Sequence, residues 1–189
     1  MSRRAAFELA RRMRREGVPL GEVFTFLSAL YFRGKLTYAQ RFATPPEGCP
    51  GVLVITPNRG LMAPEAPITI ADLRAFARVP IDAAERRYTR PLRDAARGLR
   101  ALLPRGAEIV LLGSIATPKY VDVLLAAFGR DVLFPVDFVG RGDMSRGGLL
   151  LRAARAGVEL DYRSLDGGDR RGVRAVKLAS LTHLSRARG

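Results

Sequence analysis

Apolar residues recur in short bursts between polar, Gly- and Pro-marked breaks, and the bursts carry two different periods. Ala6, Phe7, Ala10 and Met13 fall on one face of a helical repeat, predicting a helix from Ala5 to Arg15 that Gly17-Val18-Pro19 ends. Glu22 to Ser28 (EVFTFLS) is rich in β-branched and aromatic residues and predicts a first strand, followed by a helix from Leu30 to Ala43 that stops before Pro45-Pro46. Val52 to Thr56 reads as a buried strand, and Thr69 caps a helix through Ala77 with Asp72 in its first turn. Thr89 then caps a longer helix, with Pro91 in its first turn, running to Leu103. Leu92, Ala96, Leu99 and Leu103 form its apolar face, while Arg90, Arg93, Arg97 and Arg100 repeat along the other side as a stripe that suits either a solvated face, the commoner case, or contact along phosphates. Ile109 to Leu112 is a strand, Pro118 to Phe128 a helix with Thr117 as N-cap, and Val132 to Val136 a strand. Ser145 to Ala156 is a helix and Val158 to Tyr162 a final strand.

Strands alternating with helices predict an α/β fold, a single domain with a largely parallel or mixed sheet covered by helices, plus basic terminal extensions. The expected divisions are a basic N-terminal helix at 1–16, the α/β domain at 17–165 and a basic tail at 166–189, with a short helix around Val176 to Leu184.

Charge changes this picture at the ends. The chain of 189 residues carries a formal net charge of +14, and residues 1–16 and 166–189 each contribute +4. Basic arms on a compact domain suit the backbone of a polyanion, so nucleic acid, DNA or RNA, is the expected partner. Solvated ends and a genomic preference for arginine account for the charge equally well, since only Lys35, Lys119 and Lys177 of the 32 basic residues are lysine. One cysteine, Cys49, and one histidine, His183, argue against a disulfide, a metal centre and a Ser-His-Asp triad. No metal and no cofactor is expected. With no apolar run of ~20 residues and no apolar signal core in Met1 to Arg15, a cytoplasmic protein without membrane association is expected. Its oligomeric state is left open.

Candidate chemistry gathers where the predicted strands end, which is where open α/β sheets bind ligands. Ser28, Tyr31, Arg33 and Lys35 follow the first strand, and Thr56-Pro57-Asn58-Arg59-Gly60 the second. Gly113-Ser114-Ile115-Ala116-Thr117-Pro118-Lys119-Tyr120 follows the third, and Gly140-Arg141-Gly142-Asp143-Met144-Ser145-Arg146-Gly147-Gly148 the fourth. Glycines before a helix let a backbone approach an anion, and the helix start attracts one. Arg59, Lys119, Arg141, Gly142, Ser145 and Arg146 are therefore the expected phosphate- or carboxylate-binding residues. Asp143 or Ser145 also serves as an ordinary helix cap. Lys119 stands out because a cation in a first helical turn opposes the helix dipole unless an anion binds there. Asp143 is the candidate catalytic carboxylate, with Asp137 and Glu22 as weaker ones. Tyr31, Asn58, Ser114, Thr117 and Tyr120 are expected to line or stack in the pocket. The last loop matches neither a GK[ST] phosphate loop nor a dinucleotide fingerprint.

Three of these stretches resemble the YaaA-like family, the peroxide-stress and DNA-associated α/β proteins, with a related bacterial domain of unknown function. Ser28-Ala29-Leu30-Tyr31-Phe32-Arg33 precedes an amphipathic helix. Ile55-Thr56-Pro57-Asn58-Arg59-Gly60-Leu61, followed by Pro64, resembles the family's SA-(K/H)-(Y/H)-GL loop. Leu111-Leu112-Gly113 leads to Tyr120, a strand and the Gly-rich loop. The likeness spans about Glu22 to Arg152, and Thr56-Pro57-Asn58-Arg59 stands where the family has Ser-Ala-Lys/His. It implies an α/β fold associated with DNA or nucleobases. The resulting expectation is a nucleic-acid-associated protein with a nucleotide pocket, a glycosylase-like or nucleotide-processing enzyme that cleaves or exchanges an N-glycosidic bond. The alternatives are a non-catalytic DNA- or RNA-binding protein and a metabolic enzyme acting on a small phosphorylated or carboxylated substrate.

Overall fold

The computed structural model describes residues 3–115 and 118–167. The fold is α/β, with helices dominating. Its elements run α1 (Arg3–Arg15), β1 (Val18–Pro19), α2 (Leu20–Phe42), β2 (Val54–Thr56), β3 (Gly60–Met62), β4 (Pro67–Ile68) and α3 (Ile70–Ala77). They continue with α4 (Arg86–Leu102), β5 (Ile109–Val110), α5 (Pro118–Phe128), β6 (Val132–Pro135), α6 (Asp143–Ala156) and β7 (Tyr162–Ser164). A small mixed sheet is present, and two two-stranded antiparallel sheets accompany it. β1 pairs antiparallel with β4, β2 with β3 in a tight hairpin, and β5, β6 and β7 form a mixed sheet in that order. Within it β5 runs parallel to β6, and β7 antiparallel.

The largest difference lies at 22–28. The expected strand lies within the first turns of α2, a helix of 23 residues that begins at Leu20. Leu20 and Val23 are wholly buried while Leu27 is 58% exposed, so the apolar residues of this stretch obey a helical and not an alternating pattern. Tertiary burial here overrides the β preference of Val, Phe and Thr. Leu20 and Val23 join Leu9 and Met13 of α1, Val18, Val54, Ile68 and Phe76 in one core cluster, so α1 is packed onto the domain.

α4 also begins earlier than expected. Its N-cap is Glu85, whose carboxylate accepts from the Arg87 backbone at 2.9 Å, and Thr89 sits inside, its hydroxyl donating to the Glu85 carbonyl at 3.1 Å. Pro91 therefore lies in the second turn. Tyr88, Leu92 and Ala96 are buried completely, each of the larger two contributing about 2 kcal/mol of burial. Thr69 caps α3 as expected, in a reciprocal box with Asp72. α6 starts at Gly142 with no side-chain cap, so neither Asp143 nor Ser145 plays that part, and it ends at left-handed Gly157. The expected short helix at 176–184 lies outside the described residues.

Candidate functional site

α2 and α6 cross backbone against backbone. A Cβ on Gly34 would stand 2.6 Å from the Gly147 carbonyl oxygen, and one on Gly147 would stand 2.8 Å from Tyr31 Cα. Only glycine fits either position. The crossing carries the side chains beside it into one small volume, Tyr31 and Lys35 from α2 with Asp143 and Arg146 from α6. Tyr120 of α5 completes the group, its hydroxyl lying 2.7 Å from where a Gly113 Cβ would be and receiving the Ser114 backbone N–H.

The Lys35 ammonium sits 3.9 Å over the centre of the Tyr31 ring, a cation–π contact. Among the described residues it has no ion-pair partner within 4 Å. Burial lowers its pKa to about 8, Asp143 opposing and Arg146 reinforcing that shift. The Tyr31 hydroxyl is buried, and no hydrogen bond of ordinary geometry reaches it, although Arg146 lies beside it. Burial and the Asp143 charge push Tyr31 up to about 12, against the pull of Arg146. Tyr120 is raised too, chiefly by burial. Behind it the wholly buried Tyr88 of α4 has a second unpartnered hydroxyl, raised by burial and by Tyr120. Two orphan hydroxyls flanking one tyrosine are unusual in a native interior, where polar groups find partners.

The two arginines of the Gly/Arg loop hold the loop itself. Arg146, 6% exposed, donates through Nε and Nη2 to the Phe138 carbonyl at 3.3 and 3.0 Å, lies over the Phe138 ring and approaches Asp143 at 3.7 Å. Arg141 donates to the Asp137 carbonyl at 2.8 Å and to Ser145 Oγ at 3.5 Å. Their forks are engaged by groups of the protein, which differs from the anion-binding role expected of them. Arg59 is likewise committed elsewhere, paired with Asp72 of the α3 capping box. Lys119 is exposed at the first turn of α5. Asn58 turns the β2–β3 hairpin with its Oδ1 buried and unpartnered. Thr117 lies outside the described residues.

Of the residues singled out in the sequence, Tyr31, Ser114, Tyr120, Asp143 and Arg146 thus come together, with Gly142 and Ser145 at the adjoining helix start. The structure adds Tyr88 and gives a central place to Lys35, which the sequence offers only as one of several residues after the first expected strand. Lys35 carried a usable signal, being one of three lysines and directly following a glycine, whereas nothing in the sequence marks Tyr88 apart from other core aromatics. Lys35 covers one face of the Tyr31 ring, and Tyr120 abuts Gly113 with its hydroxyl end.

A second feature lies on the outward side of α4. Arg86, Arg90, Arg93 and Arg97, with Asp94, Thr89, Ala83 and Ala84, line an open concavity of about 440 Å³. No helix among the described residues is long and apolar enough to cross a membrane. No protein-family model, curated protein or solved structure matches this chain.

Proposed function

We propose that this protein is a nucleic-acid-associated enzyme whose reactive centre is the Lys35 amine beside the Asp143 carboxylate, acting on the sugar carbon of an N-glycosidic bond. The observation that carries the reading is the placement of Lys35, held over the Tyr31 ring at 3.9 Å near Asp143 and Arg146 without a salt-bridge partner. An amine that loses its proton near neutral pH is a nucleophile, and a carboxylate nearby stabilises a cationic sugar.

In the proposed step neutral Lys35 Nζ forms a bond to C1′ as the C1′–N bond breaks. The bonding electron pair departs with the base, which takes up a proton. Asp143 faces the positive charge that develops on the sugar and accepts the proton that the new ammonium sheds. The sugar ring then opens as the nitrogen lone pair forms a C1′=N bond and O4′ leaves with the C1′–O4′ pair, taking the proton back from Asp143; the resulting protonated imine is hydrolysed by water or displaced by another base. Arg146 is a positioning residue, since its bonds to Phe138 fix the first turn of α6 and with it Asp143. The net charge of +14 supports a polyanionic substrate.

Borohydride reduction of the imine provides the test. Incubated with duplex DNA containing a preformed abasic aldehyde, the protein is expected to give a covalent adduct that Lys35→Met abolishes and Lys119→Met and Lys177→Met retain. An adduct indifferent to Lys35→Met, or none at all, overturns the reading.

A further inference from the structure

We infer that the outward face of α4 is a docking groove for the phosphate backbone of a nucleic acid, with Arg86, Arg90, Arg93 and Arg97 as its contacts. This rests on the reading above only in taking nucleic acid as the partner. At ~100° per residue these four arginines fall within an arc of ~60°, opposite Tyr88 and Leu92, and they extend along ~16 Å of helix axis. A duplex strand places about five phosphates over that length at 3.4 Å each. The face is concave, about 440 Å³, with Ala83 and Ala84 giving a small-residue wall that admits a bulky backbone.

The free state of these cations is the second observation. Arg12, Arg59, Arg87 and Arg100 each form an ion pair with a neighbouring carboxylate. Among the described residues Arg86, Arg93 and Arg97 have no such partner, and Arg90 meets only Asp94, at 3.9 Å with both side chains exposed. Four guanidinium groups against one carboxylate leave a local surplus of charge that no further ion pair among the described residues neutralises. α4 also connects the groove to the centre, because its opposite face carries Tyr88 against Tyr120.

Fluorescence anisotropy with a labelled 20-base-pair duplex, titrated at several salt concentrations, tests the groove. Counterion release gives about 0.9 in log–log slope per phosphate neutralised. Arg93→Ala/Arg97→Ala is therefore expected to lower the slope by about 2 and to weaken binding on the order of 50-fold at 0.1 M salt. The pair Arg93→Lys/Arg97→Lys should keep the slope. The charge-matched control Arg130→Ala/Arg163→Ala, at exposed sites off the groove, should change it little. Equal losses in groove and control variants overturn the proposal, as does an unchanged slope. So does binding of anionic phospholipid vesicles that needs Arg93 and Arg97 while duplex binding does not. An unsubstituted protein that binds duplex through the groove yet gives no adduct, or an adduct that survives Lys35→Met, sinks the reactive centre alone. Intact trapping with a groove-independent slope sinks the groove alone.

Discussion

Two arginine-rich stretches of this protein, both helical in part, put the same side chain to opposite uses. At the start of α6 the guanidinium of Arg146 is buried against the Phe138 carbonyl and ring, and Arg141 holds the Asp137 carbonyl. On α4 the guanidinium groups of Arg86, Arg93 and Arg97 face outward with no partner among the described residues. In the first setting five fixed N–H donors satisfy backbone carbonyls that leave regular structure. In the second the same donors keep their full capacity for a ligand. The presence of arginine therefore says little about binding; the supply of nearby carbonyl and carboxylate oxygen decides whether the charge is used within the fold or outside it.

Substitutions can separate the two uses. The largest effect is expected where the α6 stretch meets α2. Gly147→Ala gains about 1 kcal/mol of helix propensity but drives a methyl to within 2.8 Å of Tyr31 Cα. Backbone on both sides cannot yield cheaply, so a net loss of about 1–3 kcal/mol is expected in urea unfolding. Arg146→Ala removes two of the three donors to the Phe138 carbonyl, leaving the Arg141 backbone N–H at 3.2 Å, strips the guanidinium from the Phe138 ring, and is expected to cost about 1–3 kcal/mol in the same assay. A midpoint unchanged by Arg146→Ala would mean that its guanidinium is free for a ligand after all, and the contrast with α4 would collapse.

Next comes Lys35. Its pKa in the folded chain is about 8 against the ordinary 10.5, so the unfolded chain binds its proton up to higher pH. Folding stability contributed by this group is accordingly missing below pH 8 and grows as pH rises from about 8 toward 10.5. Lys35→Met should flatten that rise in thermal unfolding followed against pH. The rate of borohydride-trapped adduct should climb about tenfold per pH unit and level off above about pH 8. A rate still rising steeply at pH 10 would place the reacting amine elsewhere. The smallest effect belongs to the outward stripe. Arg93→Ala should shift the unfolding midpoint by less than about 0.5 kcal/mol while reducing the salt slope of duplex binding. A destabilisation of 2 kcal/mol would show that this arginine is structural, like those of α6.

Much of the helical layout is legible from residue spacing. Thr69 and Asp72 announce the α3 cap, the Leu92 and Ala96 spacing gives α4, and Gly157 marks the end of α6. The strand expected at 22–28 is misread because Val23, Phe24, Thr25 and Phe26 have strand preference, and only the partners of Leu20 and Val23 in three dimensions reveal the helical face. The mixed sheet is present but its strands are shorter than the apolar runs suggest. β5 and β6 carry two and four residues, and the apolar run of Ile109 to Leu112 that suggested a longer strand is divided, Ile109 and Leu111 packing with α4 and α5 and Leu112 with Tyr38 and Leu150 of α2 and α6. Within the site, Tyr120 and Asp143 are visible as polar residues at element ends, whereas their meeting with Lys35 depends on the Gly34–Gly147 approach. Local composition treats both glycines as flexibility or anion-binding loops, when their actual service is to be thin. The stripe on α4 reads as a solvated face from its period alone, and the concavity that gives it shape comes from Ala83 and Ala84, two residues without any signal of their own.

The glycine crossing has a further consequence. Tyr31 and Lys35 belong to the first part of the chain and Tyr120, Asp143 and Arg146 to the last, with the exposed turn around Gly106 between them. Neither part holds the centre by itself. A chain divided at that turn would thus be silent as two separate pieces and acquire a Lys35-dependent adduct only when the pieces reassemble, making the centre a built-in reporter of fragment complementation.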